Sequence, residues 1–193
     1  MPVTINGSGS IAGLNAGGLP SSALTGAIPS STLPAGTVIQ CVTDTTTART
    51  DNNGNTYLTI SGLSVTMTPR AANSKFYAIF EGHFYVDYGG SGSNSAHGIG
   101  YNIYKDGTRF TTSPNDSGGG ENSERPYDWY NDGAHRTVAR LMKTGQGTFG
   151  STSAATFTVK FKAYLANSNY TVRLNENGVD ETQAQLTVME IAA

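Results

Sequence analysis

Two segments alternate apolar and polar residues with a period of two, and they limit the chain to a fold built of strands. In KFYAIFEGHFYVDY, Phe76, Ala78, Phe80, Phe84, Val86 and Tyr88 fall on one face, and Lys75, Tyr77, Glu81, His83 and Asp87 on the other. In TFTVKFKAYL, Phe157, Val159, Phe161, Ala163 and Leu165 oppose Thr158, Lys160 and Lys162. A period of two belongs to a strand with one face on a core and one on solvent. LSVTMTP does the same on a smaller scale, with Leu63, Val65 and Met67 against Ser64, Thr66 and Thr68, and Pro69 ends the run. Weaker strand signals are TVIQCV, YLTI, GIGYNIYK, TVARLMK, YTVRL and QLTVMEI. No window sustains a helical period.

Between these runs lie the turn formers DNNGN, KDG and ENGVD, whose Asn, Asp and Gly residues tolerate positive φ. Eight or nine antiparallel strands over about 155 residues predict an all-β fold, an antiparallel two-sheet jelly-roll sandwich. Barrel closure is the alternative that the pattern leaves open. The composition agrees with short strands and turns. Charged residues make up 13% of the chain, about half the usual quarter, and ten Tyr outnumber seven Phe.

The strands begin only after an unusual leader. Residues 1–36 contain no Lys, Arg, Asp or Glu, yet carry Val3, Ile5, Ile11, Leu14, Leu19, Leu24, Ile28 and Leu33. The pairs Leu19-Pro20, Ile28-Pro29 and Leu33-Pro34 keep the backbone extended and forbid a continuous helix. Fully extended, such an arm reaches about 110 Å. A single extended strand cannot bury its aliphatic side chains against itself. It is expected to pack with copies of itself or to lie on another protein. The division predicted is an extended arm over 1–36 and a β-sandwich head over 37–193.

The order of several segments resembles that of a known family. TINGSGSIAGLNAGGLP is followed by LPAGTVIQCV, then by GLSVTMTPRAANSKFYAIFEG, and LTVMEIAA closes the chain. This pattern is similar to the fibre and spike proteins of tailed bacteriophages, particularly small ones from marine and freshwater phages. The resemblance spans both ends and the first third of the head, and leaves out about 88–150. It implies a homotrimer with a thin N-terminal stem docked on the virion and a jelly-roll head, similar in shape to tumour-necrosis-factor-like trimers. The arm then serves attachment and trimerisation, and its lack of charge suits burial, because an unpaired buried charge costs several kcal/mol. Partners implied are sister chains, a baseplate, tail or capsid protein, and a receptor on the bacterial envelope. The implied location is the virion, after synthesis in the host cytoplasm and release by lysis.

Nothing in the sequence points to catalysis or a cofactor. The net charge of −2 argues against a nucleic-acid partner, which needs a basic footprint. Cys41 is the sole cysteine, so no intrachain disulfide forms. No signal peptide pattern and no apolar run of membrane-spanning length is present. The histidines His83, His97 and His135 form no metal spacing. DNNGN echoes the start of a calcium loop without its distal Glu. Carboxylates such as Glu121 and Glu124 lack the rigid setting that glycoside cleavage demands. His83 reads as a structural residue, and with Tyr77 and Tyr85 it is the candidate trimer interface.

One stretch stands out as a binding loop. SERPYDWYNDGAH gathers Tyr127, Trp129 and Tyr130, interleaved with Asp128, Asn131 and Asp132, and closes on His135. Aromatic plates stack on sugar rings while neighbouring Asp and Asn side chains hydrogen-bond to hydroxyls. The competing role for Trp129 is to plug the end of the sandwich or a subunit seam. The function expected is a trimeric tail fibre or spike that binds a host glycan. A capsid-attached head fibre without a receptor role is the alternative, and a depolymerase or a cellular adhesin fits less well.

Overall fold

In the computed structural model, residues 33–54, 56–88, 99–110, 123–124, 135–163, 170–175 and 182–193 are described. They form eleven strands and, among the described residues, no helix. The strands are β1 (Val38–Thr46), β2 (Thr50–Asn52), β3 (Leu58–Met67), β4 (Lys75–Tyr88), β5 (Ile99–Lys105), β6 (Thr108–Arg109), β7 (Ser123–Glu124), β8 (His135–Thr148), β9 (Ala155–Ala163), β10 (Tyr170–Leu174) and β11 (Ala184–Ile191). All pair antiparallel, in two sheets.

The first sheet is organised by β4. Its fourteen residues give it room for two neighbours on one edge, β11 against Lys75–Glu81 and β10 against Phe84–Tyr88. On the other edge β8 runs beside it for the full length. β1 then flanks β11, and β2 flanks β10. In the second sheet β9 lies between β3 and β5, and β6 and β7 continue beyond β5.

The pairings are nested along the chain. β1 pairs β11, β2 pairs β10, β3 pairs β9, β4 pairs β8 and β5 pairs β7. The chain thus behaves as one long antiparallel ribbon folded over into two layers. Such a ribbon relies on contacts distant in sequence, whose closure entropy must be offset by the core that they create.

That core lies between the sheets. Phe76, Ala78, Phe80 and Phe84 of β4 are enclosed, as are Val172, Leu174, Leu186 and Val188 of β10 and β11. Leu63, Val65, Met67, Tyr101, Phe157, Val159, Phe161 and Ala163 face them from the second sheet. Aromatic rings join the layers edge to face. Phe76 meets Phe157 at 5.1 Å between centroids, and Phe84 meets Phe161 at 5.4 Å. Full burial of each such side chain contributes about 1.5–3 kcal/mol. The inward positions read from the alternation of β4, β9 and LSVTMTP are the buried ones wherever those side chains are described; Val86, Tyr88 and Leu165 lie outside that description.

Two local differences have clear causes. YLTI and LSVTMTP, read as separate strands, are one strand, β3, with a register shift between Thr59 and Ser64. Gly62 sits within that shift at φ 68°, where a side chain would be strained and a Cβ would lie 3.1 Å from Thr46 Oγ1. This is the behaviour of a bulge, which bends a strand without ending it. TVARLMK is likewise only the middle of β8, which extends because it borders all of β4.

The turns follow their residues. In KDG, Asp106 and Gly107 take φ values of 49° and 78° and reverse the chain between β5 and β6. In DNNGN, Asn52 Oδ1 accepts the Gly54 N–H at 2.9 Å while its Nδ2 donates to the carbonyls of Thr56 and Phe161. Asn52 therefore acts as a staple between the turn and β9. ENGVD lies outside the described residues.

Candidate functional site

The residues singled out as a binding loop, Tyr127, Asp128, Trp129, Tyr130, Asn131 and Asp132, lie outside the described residues. His135 is the first residue of β8, with its backbone opposite Tyr88, and its side chain is outside the description. Of the arm, Val3, Ile5, Ile11, Leu14, Leu19, Leu24 and Ile28 also lie outside it, whereas Leu33 is half-buried. Behind it the chain is tied to its own end. Gly36 N–H donates to Ala192 O at 2.9 Å, and Ala192 N–H donates to Thr37 O at 2.8 Å.

Tyr77, His83 and Tyr85 are placed together on the outer face of the first sheet. They occupy alternate positions of β4 opposite to the buried phenylalanines, and cross-strand partners share their face. One row across that face runs Cys41, Met189, Tyr77, Gln146, and the next runs Thr43, Thr187, Ile79, Thr144. A third row contains Thr45, Gln185, Glu81 and Met142. Thr43 and Thr187 join their hydroxyls at 2.9 Å.

The first two rows carry no ionised side chain. In the third, Glu81 is neutralised by an ion pair with Arg140, which stands opposite His83. Tyr77, Ile79, Thr187 and Met189 are half-buried, and Met142 is 62% exposed. Tyr85 is different, being only 8% exposed within the single chain. The result is a neutral patch of Thr, Ile, Met and Tyr, about 14 Å across between its outer strand axes, with Lys75 in the next row beyond Tyr77. Below it, toward β2, the same sheet turns ionic. Arg49 grips Asp51 through two nitrogens at 2.7 and 2.5 Å, and Arg173 approaches Asp51 at 3.8 Å.

The edge of this sheet is guarded where its face is not. β8 pairs only with β4 among the described residues. Lys143 occupies an inward position of β8, opposite Phe80, with its ammonium 5.5 Å from the centre of the Tyr101 ring. An inward-pointing charge on an edge strand opposes the addition of a further strand. Tyr101 also donates its hydroxyl to Met142 O at 3.2 Å, using a carbonyl of that edge strand.

The outer face of the second sheet is of another kind. Lys160 and Lys162 project from β9, their ammonium groups 4.6 Å from the Tyr104 ring centre and 5.1 Å from that of Tyr57. The two rings meet edge to face at 6.2 Å, and Asn102 Nδ2 donates to Tyr57 Oη at 2.9 Å. Burial pushes both phenols above their ordinary pKa, Tyr57 also feeling the neighbouring Tyr104, and burial pulls the Lys162 ammonium below its own. Gly100 makes the closeness possible, since a Cβ there would lie 3.1 Å from Tyr57 Oη and 3.2 Å from Lys162 carbons. The alternation of TFTVKFKAYL placed the two lysines outward, but no short-range signal announced that Tyr57 would join them.

Among the described residues, no group of three His, Cys, Asp or Glu side chains is placed to hold a metal ion. Cys41 is an exposed thiol. No protein family and no curated protein matches this chain in comparison with known sequences.

Proposed function

We propose that this chain is a virion structural protein, a trimeric tail fibre or spike whose sandwich head binds a glycan on the host surface. The observation that carries the reading is the neutral outer face of the first sheet, centred on Ile79. A surface that meets its own copies must not repel itself, and these rows of Thr, Ile, Met and Tyr carry no net charge. Charge depletion at the centre, with Tyr and Met enriched, is the composition of an interface core. Tyr77 and His83 belong to this trimer face, and the Thr187–Ile79–Thr144 row is its middle.

The nested pairing supports a jelly-roll reading, in which a long ribbon is wrapped into two sheets. The uncharged arm of residues 1–36 attaches the trimer to the particle, and the Tyr127–His135 loop reads the receptor. No catalytic step is assigned to the head.

Sedimentation of the full-length protein tests the assembly, and competition for phage adsorption tests the role. The expected results are a species of three chains and a protein that blocks adsorption, with Trp129→Ala losing the block while keeping the trimer. A folded single chain in solution, or adsorption indifferent to an excess of the protein, overturns the reading.

A further inference from the structure

The outer face of the second sheet carries a cation and a row of hydroxyls. Lys160 stands at the centre of β9 with its ammonium over Tyr104, and among the described residues it makes no ion pair. An aromatic face holds a cation in place without neutralising its charge. Lys162 follows two residues later on the same face, about 7 Å along the strand. Around them the sheet is lined by hydroxyls. Ser64 stands opposite Thr158, Thr59 opposite Lys160, and Thr66 opposite Thr156, the last two sharing a hydrogen bond at 3.1 Å.

We propose that this face binds an anionic polysaccharide, with Lys160 over Tyr104 as its central contact. The Lys160 ammonium meets a carboxylate or sulfate group of the polymer. The hydroxyls of Ser64, Thr66, Thr156 and Thr158 exchange hydrogen bonds with the sugar hydroxyls. The hydroxyls and the ammonium run in rows along β3 and β9, so an extended chain suits them better than a compact ligand. Each repeat unit binds weakly, and several copies of the face on one particle raise the strength by linked binding. The site is separate from the Tyr127–His135 loop and does not depend on the number of chains in the assembly. A failure here therefore leaves the fibre reading untouched, and a monomeric protein leaves this site standing.

The test uses the full-length protein titrated calorimetrically with polygalacturonate oligomers, with neutral dextran oligomers of similar length, and with a thymidine oligonucleotide. Polygalacturonate is expected to bind saturably and more weakly as salt rises, whereas dextran does not bind. Lys160→Gln should weaken polygalacturonate binding by about tenfold or more, a factor equal to about 1.4 kcal/mol. Lys160→Arg should bind within about twofold of the parent, because it keeps a cation over the ring. Lys75→Gln, on the other sheet, should change nothing. Four results overturn the proposal: no saturable binding, equal binding of dextran, tighter binding of the oligonucleotide, or a Lys160→Gln protein that binds like the parent. Melting curves of each variant confirm that the comparison is between folded proteins.

Discussion

Glu190 Oε1 accepts the backbone N–H of Arg70 at 2.9 Å, a contact across 120 residues of sequence that anchors the turn between β3 and β4 to the last strand. The same oxygen is 3.4 Å from Ala71 N, and Oε2 accepts from Gln40 Nε2 at 2.6 Å. Gln40 spends its second amide hydrogen on Thr68 O. Glu190 is wholly buried in an inward position of β11, where every neighbour in phase is apolar. A carboxylate there is tolerated because its acceptor sites meet donors from β1 and from the turn.

Replacing Glu190 by Ala is therefore expected to cost about 3 kcal/mol, since the donors facing it lose their acceptor inside the protein. Glu190→Gln should cost less, because its oxygen still accepts from Arg70, although its amide then confronts the Gln40 amide. Urea denaturation of the three proteins at neutral pH checks the order, wild type above Gln above Ala.

The close packing at the start of β4 gives a second expectation. Gly147 stands opposite Phe76, and a Cβ there would come within 2.6 Å of the ring. Phe76 cannot retreat easily, because it is wedged against Phe110, Phe149 and Phe157 with centroids at 4.8, 5.4 and 5.1 Å. Gly147→Ala should thus destabilise the fold by about 1–3 kcal/mol through overpacking. Thr148→Ala, one residue on and facing outward, should have little effect. Thermal unfolding of both variants separates the two.

Acid should weaken the fold through two surface carboxylates. The backbone amide of Thr156, and secondarily Lys105, hold the Asp106 carboxyl below its ordinary value of 3.8, and the Arg49 guanidinium does the same to Asp51. A carboxylate depressed by folding binds fewer protons in the folded than in the unfolded chain. Its contribution is complete above pH 3.8 and is lost as the pH falls through the lower, folded value. Asp106→Asn should reduce stability at pH 6 by about 0.5 kcal/mol, a small figure because the group is largely exposed. The difference from wild type should vanish in strong acid. Denaturant midpoints measured from pH 6 down to pH 2 check the sign.

The legible part of this fold is the part dictated by alternation. Phe76, Ala78, Phe80 and Phe84, and Phe157, Val159, Phe161 and Ala163, are core residues because a strand between two layers has only one place for its apolar side chains. The KDG turn was equally plain, since Asp and Gly are residues that accept the left-handed region. Strand ends were less so. β8 owes its length to β4, and β3 owes its continuity to the bulge at Gly62, which looks locally like a stop. The buried Glu190 breaks the apolar phase of QLTVMEI, a visible signal, but its partners Arg70 and Gln40 come from elsewhere in the chain. Tyr57, Tyr104, Lys160 and Lys162 were illegible as a group for the same reason, because only the pairing of β9 with β3 on one side and β5 on the other brings them together.

The neutral face of the first sheet permits the most direct test of the proposed trimer, and each expectation for Ile79 rests on that proposal. Ile79 lies at its centre between Thr187 on one side and Thr144 on the other, half-buried in the single chain. A lysine at this position can extend into solvent when the chain is alone, so the sandwich itself should fold normally. Buried between copies, three ammonium groups would have no counter-charge within the two uncharged rows, and each would cost several kcal/mol. Ile79→Lys is therefore expected to reduce the sedimenting mass from three chains to one with little change in far-ultraviolet circular dichroism. Thr66→Lys, a similar change on the exposed face of the second sheet, should leave the trimer whole. A trimer that survives Ile79→Lys places the subunit contact elsewhere, and a loss of folded signal in that variant shows that Ile79 serves the single chain instead.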